Sequence, residues 1–207
     1  MAFVKSNRAE PAAPPPAEEF ITAQLSSPDA GIRRRAARAL ADDPTAASAL
    51  AECLAAESEP SVRNALFGSL VSIGGPHAAA LVARYMRSED AALRGGAIEA
   101  LKHLHEAAVG AVDELLNDSD TDLRLLAIEV TRAWPAERAA PRLQRIFAGE
   151  SHVNVCAAAV DVATEVGGPD LLPGLAALRV RFPDETFLLF AVEIAVSRIG
   201  NHPETDS

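Results

Sequence analysis

The residues of this sequence whose types and spacing could do chemistry are a histidine–cysteine pair and a close pair of histidines. His152 and Cys156 lie four residues apart, on one face of a helix, where an imidazole could activate a thiolate. No third residue that would orient the imidazole is identifiable, so we favour a thiol that fills a structural position. His103 and His105 are two apart, which points them in different directions on a helix. The sequence therefore predicts no catalytic residue and no metal site.

A second pattern is a ladder of acids and arginines. In four places an acid precedes an arginine by four residues, the spacing of a contact on one helix face. A charge that recurs in step with the fold indicates structure rather than catalysis. We expect a partly buried network, because stacking would also bring each arginine near the acid of an adjoining unit. The pairs of this arginine ladder are Asp29 and Arg33, Glu59 and Arg63, Asp90 and Arg94, and Asp120 and Arg124.

The elements that carry the ladder recur at a nearly fixed period. Leu123 has counterparts at Ile32, Val62, Leu93, Val155 and Phe187, at steps of 30, 31, 30, 32 and 32 residues. The places four and five residues after each of these anchors are apolar, which makes one stripe at helical period. The pattern predicts an all-α fold, a right-handed α-solenoid of about six helix-turn-helix units. The predicted second helices begin near Asp29, Glu59, Asp90, Asp120, Ser151 and Asp184.

Composition narrows the class of protein. The net charge of −10 argues against a nucleic-acid partner, since such binding depends on Lys and Arg. No run of about 18 apolar residues would span a membrane, and Cys53 and Cys156 show no metal or disulfide spacing, as expected of a cytoplasmic protein. We predict a flexible Pro/Ala-rich tail over 1–17, the solenoid over 18–200 and a C-terminal tail over 201–207. A docking role for Phe3-Val4-Lys5 in the first tail is an alternative to simple solvation.

The repeats resemble a known family. The stretches Ser119-Asp120-Thr121-Asp122-Leu123-Arg124-Leu125-Leu126-Ala127-Ile128 and Glu59-Pro60-Ser61-Val62-Arg63-Asn64-Ala65-Leu66 are similar to HEAT-like repeats of the short type first recognised in phycobilin lyase subunits. The resemblance implies a solenoid, and its repeat pattern also occurs in scaffold proteins and in a group of DNA glycosylases. No functional residue carries over, because the matching positions are those that stack. The last two units depart from the pattern, since Cys156 and Leu188 replace the arginine.

The face of each second helix opposite its apolar stripe is the predicted binding surface. Six residues after the anchor, the last four units place a column of carboxylates there. Beside the column, units four to six have apolar residues on a face that should be wet, which favours a contact patch over solvated acids or packing at the C-terminus. The predicted partner-binding residues are Glu99, Leu125, Leu126, Glu129, Ala158, Asp161, Phe190 and Glu193.

These patterns favour a non-enzymatic scaffold or adaptor that binds a protein partner on its concave second-helix surface. The partner should have a basic rim and an apolar anchor, and the sequence predicts no cofactor, no nucleic acid and no membrane. It does not predict the oligomeric state. The alternative is a bilin-lyase-like enzyme subunit or chromophore chaperone, and a nucleic-acid glycosylase is a third reading. A tetrapyrrole would want cations beside an apolar cleft, whereas the predicted face carries mostly acids.

Overall fold

The computed structural model of the chain describes residues 17–201, with side chains from residue 21 onward. That part contains twelve α-helices and no strand, and the helices alternate as first and second members of six pairs. The predicted all-α solenoid of helix-turn-helix units is confirmed. Most of the two predicted tails, residues 1–16 and 202–207, lies outside the described residues. No helix of the described part is long and apolar enough to cross a membrane.

The helix bounds follow the predicted units closely. The first helices are α1 (Ala17–Gln24), α3 (Ala47–Ala56), α5 (Gly75–Ala83), α7 (Val109–Leu116), α9 (Ala136–Gly149) and α11 (Leu172–Arg181). The second helices are α2 (Ala30–Ala39), α4 (Pro60–Ile73), α6 (Ala91–Leu104), α8 (Thr121–Thr131), α10 (Val153–Val166) and α12 (Thr186–Gly200). Short 3₁₀ turns extend several first helices at one end.

Aspartate side chains cap three of the six second helices. Asp29, Asp90 and Asp120 have extended backbone and accept hydrogen bonds from backbone N–H groups of the first turn of α2, α6 and α8. Each carboxylate therefore satisfies a donor that the helix leaves unpaired, and it lies at the positive end of the helix dipole. Glu59 occupies the same place before α4, but its side chain makes no capping bond.

The two Gly-Gly-Pro turns differ from each other. Gly74 and Gly75 have φ of +66° and +77°, backbone conformations that residues other than glycine rarely adopt. Gly167 has φ of −81°, a value that any residue can adopt. A Cβ at Gly167 would instead lie 2.4 Å from Ala163 O and 2.6 Å from Leu171 Cδ1. The second turn needs glycine because helix α10 and the next turn approach closely there.

Stacking of the second helices builds the core. Each one packs on the next, from α2 to α12. The apolar stripe predicted four and five residues after the anchor is buried in units one, two, four and five, as in Ala127 and Ile128 of α8 and Ala159 and Val160 of α10. Alanine at the first of these places lets neighbouring helices approach closely. Each unit thus covers the apolar surface of the one before it.

The last unit is one residue out of the predicted register. The proposed anchor Phe187 is exposed, whereas Leu188 is fully buried. Leu188, Val192, Ala195 and Ile199 form the buried stripe of α12 at helical spacing. The repeat pattern places the anchor one residue too early because every residue from Phe187 to Val192 is apolar, so the stripe fits either register. This shift changes which residues α12 presents to solvent.

The apolar core falls into two parts. One cluster extends from Leu25 to Trp134 and the other from Ile128 to Ile199. We call helices α1 to α8 the N-terminal block and helices α9 to α12 the C-terminal block. Helices α8 and α10 pack across the boundary, but the first helices α7 and α9 do not form a closely packed pair as α5 and α7 do. A polar cleft of about 400 Å³ lies there, and we call it the junction cleft.

Candidate protein-binding face

The ladder arginines fold back on the loop that precedes their own helix. Nη1 of Arg124 donates to the carbonyl oxygens of Asp118 and Ser119 at 2.8 and 3.1 Å. These bonds satisfy loop carbonyls that have no helical donor. Arg33 and Arg94 make equivalent bonds to carbonyl oxygens of the loops before their own helices. Arg63 does the same through its Nε, which donates to the carbonyl oxygen of Glu57. The arginine therefore fixes the turn between the two helices of its own unit.

The within-helix pairs predicted for the ladder do not form, while contacts to the next unit do. Arg33 makes a two-pronged ion pair with Glu57 at 2.7 and 3.0 Å, and Arg124 pairs with Glu150 at 2.8 and 3.2 Å. Arg63 contacts Asp90 of the next unit at 2.7 Å. Asp29, Asp90 and Asp120 cap their own helices instead, and Asp90 also binds Arg63. Glu57 and Glu150, five residues before the anchors Val62 and Val155, were missed although their common offset was visible in the sequence.

These buried carboxylates have shifted pKa values. The hydrogen bond from Arg33 is the main reason that the pKa of Glu57 is lowered. Burial by itself would raise the pKa of Glu150, but the hydrogen bond from Arg124 and those from nearby backbone N–H groups outweigh it and lower the pKa. Both carboxylates also accept the backbone N–H two residues later, Glu59 N for Glu57 and His152 N for Glu150. These ion pairs tie neighbouring units of the stack together.

Arg94 is the exception in the ladder. Its Nη1 binds the carbonyls of Ser88 and Glu89, but it has no ion pair with a carboxylate among the described residues. The acid at the offset used by Glu57 and Glu150 is Asp118, and Arg87 already binds it. The hydrogen bond from Arg87 is also the main cause of the lowered pKa of Asp118.

The thiol of Cys156 contacts Glu150 and Arg181 rather than the imidazole of His152. Cys156 is fully buried, and its thiol lies 3.5 Å from Glu150 O and 3.6 Å from Arg181 Nη2. Burial raises the pKa of the thiol, and the guanidinium of Arg181 opposes only part of that rise. Arg181 reaches in from α11 and also binds the carbonyls of Phe147 and Ala148. The thiol fills the slot that an arginine occupies in the earlier units.

The outward face of the second helices carries a chain of alternating charges. Lys102 bridges Glu99 and Glu129 at 3.0 Å each, and Arg132 bridges Glu129 and Asp161 at 2.9 and 2.8 Å. Burial opposes the charged form of Glu129, but the hydrogen bonds from Arg132 and Lys102 lower its pKa. The predicted column of acids therefore exists on α6, α8 and α10, and it is largely neutralised. The cations lie nine residues after each anchor, a place beside the column that sequence reasoning missed.

An open apolar groove lies between α10 and α12, at the end of this charged chain. We call it the terminal groove, and its volume is about 410 Å³. Phe187, Phe190 and Ile194 are 74%, 61% and 46% exposed there. Its lining consists of Ala157, Ala158, Val160, Asp161, Thr164, Phe187, Phe190, Ala191 and Ile194. Large apolar side chains gathered on one wet surface are typical of a contact site.

The structure brings together only part of the predicted binding set. Ala158, Asp161 and Phe190 line the terminal groove. Leu125 and Leu126 are half-buried and pack against the two cores. Glu99 and Glu129 belong to the charged chain of the N-terminal block. Glu193 is exposed but lies outside the column, because the register shift puts Ile194 at its place. Phe187 and Ile194 were missed for the same reason.

The junction cleft is held by a different set of charges. Arg142 makes a two-pronged ion pair with Asp113 of α7 at 3.0 and 2.8 Å, and Arg145 binds the same carboxylate. The guanidinium of Arg142 also lies over the ring of buried Trp134, 5.4 Å from its centre. Trp134 is therefore a core residue. Polar contacts replace apolar stacking between α7 and α9.

Comparison with known proteins supports the repeat type. The family described as HEAT repeats matches residues 18–102, which makes that part HEAT-like. Similar solved structures include an engineered protein, at 16% identity and a TM-score of 0.44, covering 88% of this chain and 96% of that one. A designed armadillo repeat protein in complex with the peptide (KR)4 is 16% identical with a TM-score of 0.43, and the match covers 89% of this chain and 100% of that one. Human deoxyhypusine hydroxylase in complex with glycerol is 18% identical with a TM-score of 0.43, and the match covers 92% of this chain and 86% of that one. No curated protein matches the sequence.

Proposed function

We propose that this chain is a non-enzymatic scaffold or adaptor that binds a protein partner at the terminal groove. The observation that carries the proposal is the exposure of Phe187, Phe190 and Ile194 along one wall of that groove. Burying an apolar side chain of this size contributes about 1.5 to 3 kcal/mol, so two or three of them could anchor a partner. The HEAT-like repeats supply a stiff stack of helices on which such a surface is presented.

Charge at the groove indicates the chemistry of the partner. Asp161 lies in the lining, and Glu165 is on the same helix, half exposed. Arg132 neutralises one of these acids and leaves the rim acidic by one charge. Asp184 and Glu185, immediately before α12, are exposed. The partner should therefore present an apolar anchor next to Lys or Arg, and the cations should speed association more than they tighten binding.

An affinity pull-down from the native host tests this proposal. The double variant Phe187→Ala, Phe190→Ala should lose capture of the partner by at least about tenfold, because each ring is an anchor. Val180→Ala is the matched control, since Val180 is 82% exposed but lies on α11 outside the groove. Equal capture by parent, double variant and control would contradict the proposal. Asp161→Asn should reduce the salt dependence of binding, whereas Glu99→Gln should not.

A bilin-handling function of the phycobilin lyase type is the other reading of the sequence. The polar residues in the lining of the terminal groove are Asp161 and Thr164, and neither would pair with the propionates of a tetrapyrrole. The groove therefore favours a protein partner. Visible absorbance of the purified chain mixed with a bilin checks this choice, and a bound chromophore would reverse it.

A further inference from the structure

The segment Met1–Ala9 differs chemically from the rest of the chain. It carries Lys5 and Arg8 and no acid, although the whole chain has a net charge of −10. Phe3 and Val4 stand directly beside Lys5. Residues 1–16 otherwise consist mainly of Ala and Pro, so these two are large apolar side chains in a setting of small ones. The segment thus combines an apolar anchor with flanking cations.

The terminal groove has the complementary features. Its walls present the rings of Phe187 and Phe190 with Ile194, and the alanines at 157 and 158 leave room between the helices. The carboxylate of Asp161 lies in the same lining, with two-thirds of the side chain exposed. An aromatic and a β-branched side chain next to a lysine would fill this space and approach the acid. Residues 202–207 carry two acids and no large apolar side chain, which fits the groove poorly.

Chain length decides whether the segment reaches its own groove. Phe3 precedes Ala17 by fourteen steps along the chain, which fully extended span at most about 46 to 50 Å. The second helices from α2 to α12 make five steps of packing, each about 8 to 10 Å, or about 40 to 50 Å in all. Binding within one molecule would demand a nearly straight segment, at a large cost in conformational entropy. The groove of a second molecule imposes no such limit.

We propose that the terminal groove binds the segment Met1–Ala9 of a second copy of this chain. The inference rests on the proposed function, because it names the occupant of the same groove. Segment and groove are different surfaces, so the contact is heterologous and copies associate head to tail. A short segment buries less than a standard interface of about 1,600 Å², and association should therefore be weak and concentration-dependent.

Sedimentation velocity of the full chain over a wide concentration range tests the inference. The average mass should rise with concentration in the parent. Phe3→Asp removes the anchor and Phe190→Asp spoils the groove, and each change should weaken self-association by at least about tenfold. Circular dichroism checks that both variants keep the helical fold, which is expected because Phe190 is exposed. Val180→Asp is the control for an added charge on an exposed apolar residue.

Mixing the two variants makes the test specific. The Phe3→Asp chain keeps an intact groove and the Phe190→Asp chain keeps an intact segment, so an equimolar mixture should form a one-to-one dimer that neither forms alone. A synthetic peptide of residues 1–10 should bind the Phe3→Asp chain and not the Phe190→Asp chain. A parent that stays monomeric at every concentration, or a Phe190→Asp chain that associates like the parent, would overturn the inference. If self-association fails this test but the groove variants still lose capture of a host protein in the pull-down, the proposed function stands and only the self-association is wrong.

Discussion

The N-terminal and C-terminal blocks use the same helix pairs but connect them differently. In the N-terminal block, arginines such as Arg33 and Arg63 bind carboxylates of the following unit. In the C-terminal block Cys156 takes the arginine's place in α10 and is fully buried, and Arg181 comes in from α11 instead. The outward faces differ in the same way, since bridged charges on α6 and α8 give way to the open apolar groove at α12. Where the bridged charges between second helices end, large apolar side chains remain exposed.

The largest test of this comparison concerns the register of the last unit. Leu188→Ala should destabilise the chain by about 2 to 5 kcal/mol, because it empties a fully buried site in the core of the C-terminal block. Phe187→Ala is the matched control one residue away, and its cost should stay below about 0.5 kcal/mol because the ring is exposed. Chemical denaturation measures both. The opposite order would restore the register that the repeat pattern predicts.

A smaller effect is expected for the tie that crosses the boundary between the blocks. Arg124→Ala should cost about 2 to 3 kcal/mol, because it leaves the largely buried Glu150 without its ion pair. Arg94→Ala removes only bonds to two loop carbonyls and should cost about 1 kcal/mol. Equal losses in urea unfolding would mean that the carboxylate contacts add nothing to the ladder.

Acid should affect the two blocks unequally. Lowered pKa values occur in carboxylates that belong to the N-terminal block or bind it, namely Glu57, Asp90, Asp118, Glu129 and Glu150. A carboxylate whose pKa is lowered by folding stabilises the folded state at pH values above its ordinary pKa, which is 4.5 for glutamate. That contribution is lost as the pH falls through the lowered pKa of the folded state. The denaturant concentration at the unfolding midpoint should therefore decrease as the pH is lowered below about 4.5. Glu57→Gln should make this decrease with pH less steep. Exposed Glu185→Gln, from the C-terminal block, is the control and should leave the slope unchanged.

The smallest effect is expected at Cys156. In a Cys53→Ser background, a thiol-directed electrophile should label Cys156 slowly near neutral pH, because burial raises its pKa and blocks access. The rate should depend on opening of the C-terminal block and rise with mild denaturant. His152→Ala should not change it. Fast labelling that the His152 substitution slows would restore the histidine–cysteine pair as a nucleophile.

Much of the fold follows from local patterns in the sequence. The period of the anchors, the capping acids and the apolar stripe each depend on residues within one unit, so helix pairs and most of their buried faces could be predicted. The ladder could be predicted only in kind, because Asp29 and Asp120 had two roles open to them and capping prevailed. The choice between Glu57 and Glu59 as a partner depends on how far one unit is displaced from the next. That distance is a property of packing and is not written in any single repeat.

The candidate site was harder to predict because it depends on contacts between units. Nothing within α12 distinguishes Phe187 from Leu188 as the core residue, and the choice decides which apolar side chains remain exposed. Likewise Lys102 and Arg132 neutralise acids that belong to other helices. Asp161 was identified because it lies opposite the buried stripe of α10, and Phe190 because it lies away from the buried stripe of α12 in either register. Their meeting at one groove required the stacked structure.

The central claim is that the terminal groove, and no other exposed apolar surface, is where a partner binds. Hydroxyl-radical footprinting of the full chain, free and bound to the captured partner, tests it most directly. Phe187, Phe190 and Ile194 should become protected on binding, while Val180, exposed on the neighbouring helix, should react as before. Unchanged oxidation of the two groove rings, with protection at Val180 or along the first helices, would contradict the claim.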